Sequence, residues 1–138
     1  MEKAKTIAVN AIIVAVISIL LIWGNTWHRQ RTQFTRGEAA LASRDYIGAI
    51  AAYEAAIHMY TPGSSTVYRA AERLWSIGED LERAGDPDRA LVAYRSLRSS
   101  FYATWGLTRP GKEWIARCDE KIASLVQSQA RMTPPQRY

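Results

Sequence analysis

One stretch of the chain, from Ile7 to Trp23, contains no charged residue and is rich in Ile, Val, Leu and Ala. As an α-helix rising about 1.5 Å per residue, it is roughly 25 Å long, slightly less than a hydrocarbon core of about 30 Å. Thr6 and the uncharged residues 24–26 lengthen the helix enough to close this gap. Residues 1–28 are therefore predicted to form a single transmembrane anchor, followed by one modest charged domain.

The end of the predicted span is marked by aromatic and basic residues. Trp23 and Trp27 are four residues apart on one helix face, and tryptophan favours the headgroup region of a bilayer. Basic residues that follow directly suit anionic headgroups. The predicted membrane-interface residues are Trp23, Trp27, Arg29 and Arg31.

A cleaved signal peptide is the competing interpretation, because Lys3 and Lys5 precede the apolar run. Its apolar region would be unusually long, and no small-x-small cleavage site follows Trp23. We therefore favour an uncleaved single-pass membrane protein, in the inner membrane if the chain is bacterial. The count of basic residues favours a cytoplasmic domain, whereas the usual retention of short basic amino-terminal tails inside argues for the opposite orientation.

Small residues recur along one stripe of the predicted span, and small residues let another membrane helix approach closely. A polar amide in the same segment would seek a partner on a neighbouring helix, because lipid offers it no hydrogen bond. The residues predicted to pack against another membrane helix are Ala8, Asn10, Ala11, Ala15 and Ser18. The alternative is that the stripe reflects only how common alanine is in membrane helices.

Beyond the span the pattern is helical throughout, with no alternating apolar and polar stretch of strand length. Turn-forming clusters divide this part into five segments, at 29–43, 46–60, 65–84, 87–101 and 110–129. The sequence therefore predicts an all-α fold, with a helical domain over 29–129 and a flexible tail over 130–138.

The helical segments contain an internal repeat. Gly37-x11-Ala49-x3-Tyr53 in the first pair of helices is matched by Gly78-x11-Ala90-x3-Tyr94 in the second. With DYIGAIAAYEAAI and LWSIGEDLERAGDPDRALVAYRSL around these positions, residues 29–102 resemble the tetratricopeptide repeat family. The resemblance implies two helical hairpins, in which Gly and Ala allow close helix crossing and Tyr packs against the next unit.

The chain departs from the family's pattern in its spacing and in its number of units. The two copies lie 41 residues apart, whereas the family's repeat is about 34 residues long. Leu97 also replaces the small residue that Ala56 provides in the first unit. Because two units alone are marginal, the last segment is expected to cap the open end. The apolar stripe predicted for this capping helix is Trp114, Cys118, Ile122, Leu125 and Val126.

Members of the family bind partners in a groove lined by the first helix of each unit. By similarity, the groove positions are Arg31, Phe34, Glu38 and Leu41 in the first unit, and Glu72, Trp75, Glu79 and Glu82 in the second. The family's carboxylate clamp needs Lys, Arg and Asn, but the second unit has three Glu, so a partner with apolar and basic residues is expected instead. The alternative is that Phe34 and Trp75 only complete the core between helices. The aromatic-rich loop with Trp105 and Trp114 is open to the same two interpretations, recognition or packing.

The sequence contains no phosphate-cradling loop, no metal-ligand spacing and no nucleophile elbow, so no enzyme activity, cofactor, metal or small-molecule substrate is expected. His28 and His58 are isolated, and Cys118 lies on an apolar stripe where a buried hydrophobe is the expected role. The net charge of +5 raises nucleic acid as a partner, but basic and acidic residues are interspersed, so none is expected.

These observations predict a non-catalytic, membrane-anchored adaptor or structural subunit that mediates protein–protein interactions in a larger membrane complex, in contact with the bilayer. Small anchored repeat proteins accompany energy-transducing complexes in bacteria, which makes such a complex one setting, although no motif in the chain points to it. The alternative is a stand-alone tethered receptor that recruits a soluble partner through the groove.

Overall fold

The computed structural model describes residues 1–132, which fold into five helices and contain no strand. The helices are α1 (Glu2–Ala42), α2 (Tyr46–His58), α3 (Thr66–Arg83), α4 (Pro87–Ala103) and α5 (Lys112–Met132). This confirms the all-α prediction. Because α5 continues to Met132, the first three residues of the predicted tail are helical, and 133–138 lie outside the described residues.

The predicted anchor and the first predicted domain helix form one continuous helix, α1. We expected a boundary near residue 28, but no proline occurs there, and a single Gly24 is tolerated within a helix. The apolar half of α1 is long and apolar enough to cross a membrane, a property that it shares with signal sequences, and no part of its apolar window is buried by the protein. The carboxyl-terminal half packs into the domain through Gln30, Phe34 and Gly37.

Four helices pair into two antiparallel hairpins, α1 with α2 and α3 with α4. Each hairpin turns through a residue with positive φ, Arg44 in the first and Gly85 in the second. The following aspartates begin the next helices, because Asp45 accepts a hydrogen bond from Gly48 N at 2.9 Å and Asp86 accepts one from Arg89 N at 3.0 Å. In both hairpins the first helix therefore ends in a turn with positive φ, and the second helix begins with an aspartate cap.

The sequence repeat produces the same packing contact in both hairpins. A Cβ placed on Gly37 would lie 2.6 Å from the Tyr53 ring, and one placed on Gly78 would lie 2.5 Å from the Tyr94 ring. Both tyrosines are fully buried. Glycine is thus required because the tyrosine ring lies directly on the backbone of the facing helix. The continuous core around these contacts also includes the alanines of the repeat, Ala49 and Ala90.

The last helix, α5, packs mainly on α4 and buries Trp114, Ile115 and Cys118. Ile122 and Leu125 are partly buried against the same core, as the predicted stripe requires. Val126 is exposed instead, because the fully buried part of α5 ends at Cys118 and the helix then extends past the core.

Candidate functional site

The first-unit groove positions lie between α1 and α3. The buried Phe34 ring packs on Tyr53 at a centroid distance of 5.5 Å, and the guanidinium of Arg69 lies 4.5 Å from the Phe34 centroid. Glu38 accepts a hydrogen bond from the Tyr53 hydroxyl at 2.6 Å and two from Arg73 at 2.8 and 2.9 Å. Phe34 therefore serves the core, and Glu38 links both hairpins.

A shallow cleft of about 360 Å³ opens beside these contacts. Its lining residues are Phe34, Arg69, Glu72, Arg73 and Ser76. Only Phe34 and Glu72 of these were predicted groove residues. Of the others in the first unit, Arg31 lies over the Trp27 ring at 4.0 Å, and Leu41 packs against the core. Sequence reasoning missed both arginines, because their position on α3 opposite α1 depends on the packing of two helices.

The second-unit groove positions are occupied by contacts with α4 and α5. The Trp75 ring meets Tyr94 edge-on at 4.9 Å and lies 6.2 Å from the Trp114 ring, while its indole N–H donates to Glu79 at 2.9 Å. Arg117 of α5 stacks over Trp75 at 4.3 Å. The groove face around Trp75 is thus covered by the chain's own last helix.

Glu82, a half-buried acid of this unit, is also neutralised within the chain. Glu82 accepts a hydrogen bond from the Tyr94 hydroxyl and an ion pair from Lys121 Nζ at 3.0 Å. Glu38 is paired with Arg73 in the same way in the first unit. The structure therefore separates the predicted groove residues into two internally satisfied clusters, with the cleft at Phe34 as the open part between α1 and α3.

The pKa values of these clusters follow from their contacts. Burial acts to raise the pKa of Glu38, but the hydrogen bonds from Tyr53 and Arg73 outweigh it and hold the pKa below its ordinary value of 4.5. Burial, together with the acceptor carboxylates Glu38 and Glu82, raises the pKa of Tyr53 and of Tyr94 well above the usual range. Both hydroxyls are therefore protonated donors at neutral pH.

A pH dependence follows from Glu38. Because its pKa is lowered by folding, its contribution to stability is present above about pH 4.5 and is lost as the pH falls through the folded pKa. Glu38→Gln is expected to lower the free energy of unfolding at pH 7 by about 1 kcal/mol or less, and to have a smaller effect at pH 3, where more of the Glu38 carboxyl is protonated. Urea titrations at both pH values test this, with the exposed Glu120→Gln as control. An equal loss at both pH values would contradict the assignment.

No group of three or more His, Cys, Asp or Glu residues able to hold a metal occurs within 1–132. Cys118 is buried, and burial raises the pKa of its thiol to about 12, so the protonated thiol is the form at neutral pH. His58 lies 3.9 Å from Glu54 in an exposed pair on α2, and His28 is exposed on α1. The described side chains form no catalytic cluster that we can identify.

The aromatic-rich loop is held by its own contacts. The indole N–H of Trp105 donates to the carbonyl of Pro110 at 3.0 Å, and its ring lies edge-on to Tyr102 at 4.7 Å. Trp114 is buried in the core, and Leu107 at the loop tip is fully exposed. Both tryptophans therefore pack within the chain.

Gln30 is a buried residue that the sequence analysis did not identify. Its amide donates to the carbonyls of Ala56 at 3.2 Å and Met59 at 2.9 Å, and accepts a hydrogen bond from the Ser64 hydroxyl. It thus joins α1 to the end of α2 and to the α2–α3 loop. Its spacing of four and seven residues from Phe34 and Gly37 places it on the same helix face, which is the signal that could have found it.

The predicted membrane residues lie on the part of α1 that projects from the domain. All five residues of the predicted packing set are exposed, and Trp23 and Trp27 are 54 % and 44 % exposed. Ser18 donates to the carbonyl of Val14 at 2.8 Å, whereas Asn10 has no side-chain hydrogen bond to any described residue. This half of α1 is available to lipid or to other proteins over its whole circumference.

Comparison with known proteins adds no relative, because no protein-family model, no curated protein and no solved structure matches this chain.

Proposed function

We propose that this chain is a single-pass membrane protein with a tetratricopeptide-like domain, and that it acts as a non-catalytic adaptor or structural subunit of a larger membrane complex. The observation that carries the proposal is the apolar half of α1, which is long enough to span a bilayer and is left uncovered by the rest of the protein. Apolar surface of this extent needs lipid or protein around it.

Asn10 supports contact with other membrane helices rather than with lipid alone. An amide without a hydrogen-bond partner is costly in hydrocarbon, and nothing in the described chain satisfies this one. Asn10 lies about 100° around the helix from its neighbour Ala11 on the small-residue stripe. If the span contacts other helices both along the small-residue stripe and at Asn10, it lies among several helices of a complex.

The continuity of α1 supports a structural role for the domain. Because the span and the first domain helix are one helix, and Gln30 fixes that helix to α2 and the next loop, any partner of the span sets the position of the whole domain. A flexible linker would give no such coupling. The paired glycine and tyrosine contacts of the two hairpins support the tetratricopeptide-like assignment.

A tethered receptor is the second candidate, and the open cleft beside Phe34 favours it. Here the span would be a passive anchor. Replacing residues 7–22 with a leucine-rich helix should then leave capture of a soluble partner intact, whereas a complex subunit should lose its membrane partners.

If the chain is a subunit of a membrane complex, larger side chains on the small-residue stripe should separate it from its partners. Ala11→Leu with Ala15→Leu should remove the co-purifying membrane proteins, because the added bulk prevents close helix approach, while the melting temperature of the domain stays unchanged. Val9→Leu with Val16→Leu, on the face of the helix away from both the stripe and Asn10, is the matched control and should keep every partner. Co-purification that survives the alanine substitutions would rule out the stripe as the contact.

A further inference from the structure

A cavity of about 280 Å³ lies between α1 and the α2–α3 loop. It is lined by Trp23, Gly24 and Trp27 on one side and by the loop residues from Thr61 to Ser64 on the other. Two of its lining residues are glycines, and a Cβ on Gly24 or on Gly63 would meet no atom within 4 Å. Its lining is mostly apolar.

The position of the cavity along α1 is set by the span itself. The uncharged run ends at Trp23, and Trp27 is about 6 Å further along the helix. The headgroup layer on each side of a hydrocarbon core of about 30 Å is roughly 5–8 Å thick. If α1 spans a bilayer, as proposed above, the cavity therefore opens at the level of the glycerol backbones and headgroups.

The loop wall cannot swing away from the helix without breaking buried contacts. Gln30 binds the Ser64 hydroxyl and the two carbonyls at the end of α2, and Ser64 also accepts a hydrogen bond from Thr66 N at 3.3 Å. Both side chains are buried, Gln30 completely. The cavity is thus a fixed feature of the junction between anchor and domain.

The chain segments that line the cavity carry no acidic residue. Neither residues 23–31 nor residues 59–68 contain Asp or Glu, whereas Arg29 and Arg31 follow Trp27 within about one turn of α1. The Arg31 guanidinium stacks on the Trp27 ring at 4.0 Å, at the edge of the cavity, and forms no ion pair within the described chain. An apolar cavity with an unneutralised cation at its edge complements an anionic amphiphile.

We propose that this cavity binds one anionic phospholipid of the host bilayer, with its glycerol and upper acyl chain between Trp23, Trp27 and Pro62 and its phosphate on Arg31. The proposal rests on the membrane anchoring proposed above. The bound lipid would fill the junction between span and domain, and it would hold the α2–α3 loop in the headgroup layer.

The test uses the full chain, reconstituted in vesicles of phosphatidylcholine and phosphatidylglycerol at three to one and then extracted in mild detergent for native mass spectrometry. Wild type is expected to retain one phosphatidylglycerol. Arg31→Gln should reduce that retention about fivefold, which corresponds to about 1 kcal/mol for one cation at an anionic surface. Gly24→Leu fills the cavity and should abolish the retention. Arg36→Gln removes a cation of the same helix away from the cavity and should behave as wild type.

The outcomes separate the two proposals. Retention of both lipids at the bulk ratio, or equal retention by all four proteins, would overturn the lipid site while leaving the anchor in place. If wild type shows no lipid preference, and Gly24→Leu purified from cells loses the partner proteins that wild type carries, the cavity binds a protein helix and the lipid site is overturned as well. Release of the protein from vesicles by an alkaline wash would overturn the anchor, and the lipid site with it.

Discussion

Replacing Gln30 with leucine is expected to lower the free energy of unfolding by about 3 kcal/mol, because it leaves buried polar groups without partners. The carbonyl of Ala56 and the hydroxyl of Ser64 lose their bonds to the amide, whereas Met59 keeps its contact with Thr61. Urea unfolding of the full chain in detergent, followed by circular dichroism, measures the loss. The α2–α3 loop should also lose its fixed attachment to α1.

The control for this substitution is Gln127→Leu, since Gln127 is an exposed glutamine on α5 and makes no side-chain hydrogen bond to another described residue. It should change the free energy of unfolding by no more than about 0.5 kcal/mol. Similar losses from both substitutions would show that the Gln30 contacts carry no special stability, and the rigid junction would then lack its main support.

Gly78→Ala is expected to destabilise the domain by about 2 kcal/mol, because the new methyl group would overlap the buried Tyr94 ring. Gly37→Ala should act in the same way on Tyr53, since its Cβ would lie only 2.6 Å from that ring. For a domain of this size, such a loss lowers the melting temperature by roughly 10 °C. Thermal unfolding followed by circular dichroism tests both.

Gly24→Ala provides the matched control, since a Cβ at that helical position meets nothing within 4 Å. Alanine is the better helix former, so the variant should melt at the same temperature as wild type or slightly higher. If Gly78→Ala melted like Gly24→Ala, the tyrosine would be able to move aside at no cost. The equivalence of the two hairpins would then lose its physical basis.

The helix boundaries of the domain were predictable because local side chains set them. Asp45 and Asp86 cap the helices that follow them, and Pro87 occupies the first turn of α4. These signals act within three residues of a helix end, so the sequence alone contains them. The repeat spacing likewise identified positions where the paired helices touch. The resemblance implied that the tyrosine packs against the next unit, however, whereas Tyr53 and Tyr94 each lie on the glycine of their own hairpin.

The continuity of α1 was not predicted, because the boundary at residue 28 was drawn from polarity rather than from the backbone. A change from apolar to charged residues does not end a helix when no proline or capping residue accompanies it. The role of Gln30 was missed for a related reason. Its partners lie 26 to 34 residues away in the chain, and only the packing of α2 against α1 brings them together.

The candidate groove was predictable only as a set of positions. Phe34, Glu38 and Trp75 do lie at helix contacts, but their partners Arg73 and Arg117 come from other helices. The covering of Trp75 by α5 depends on where the last helix docks, which no local pattern specifies. Partners at long sequence separation are therefore the part of the site that sequence reasoning could not supply.

The most direct test of the account is purification of the tagged full-length protein in a mild detergent, followed by native mass determination and identification of the accompanying proteins. A membrane-anchored subunit predicts a stable assembly that contains defined membrane proteins and dissociates when Ala11 and Ala15 are replaced. A monomer that carries no other protein, at expression levels close to the natural one, would contradict the subunit role.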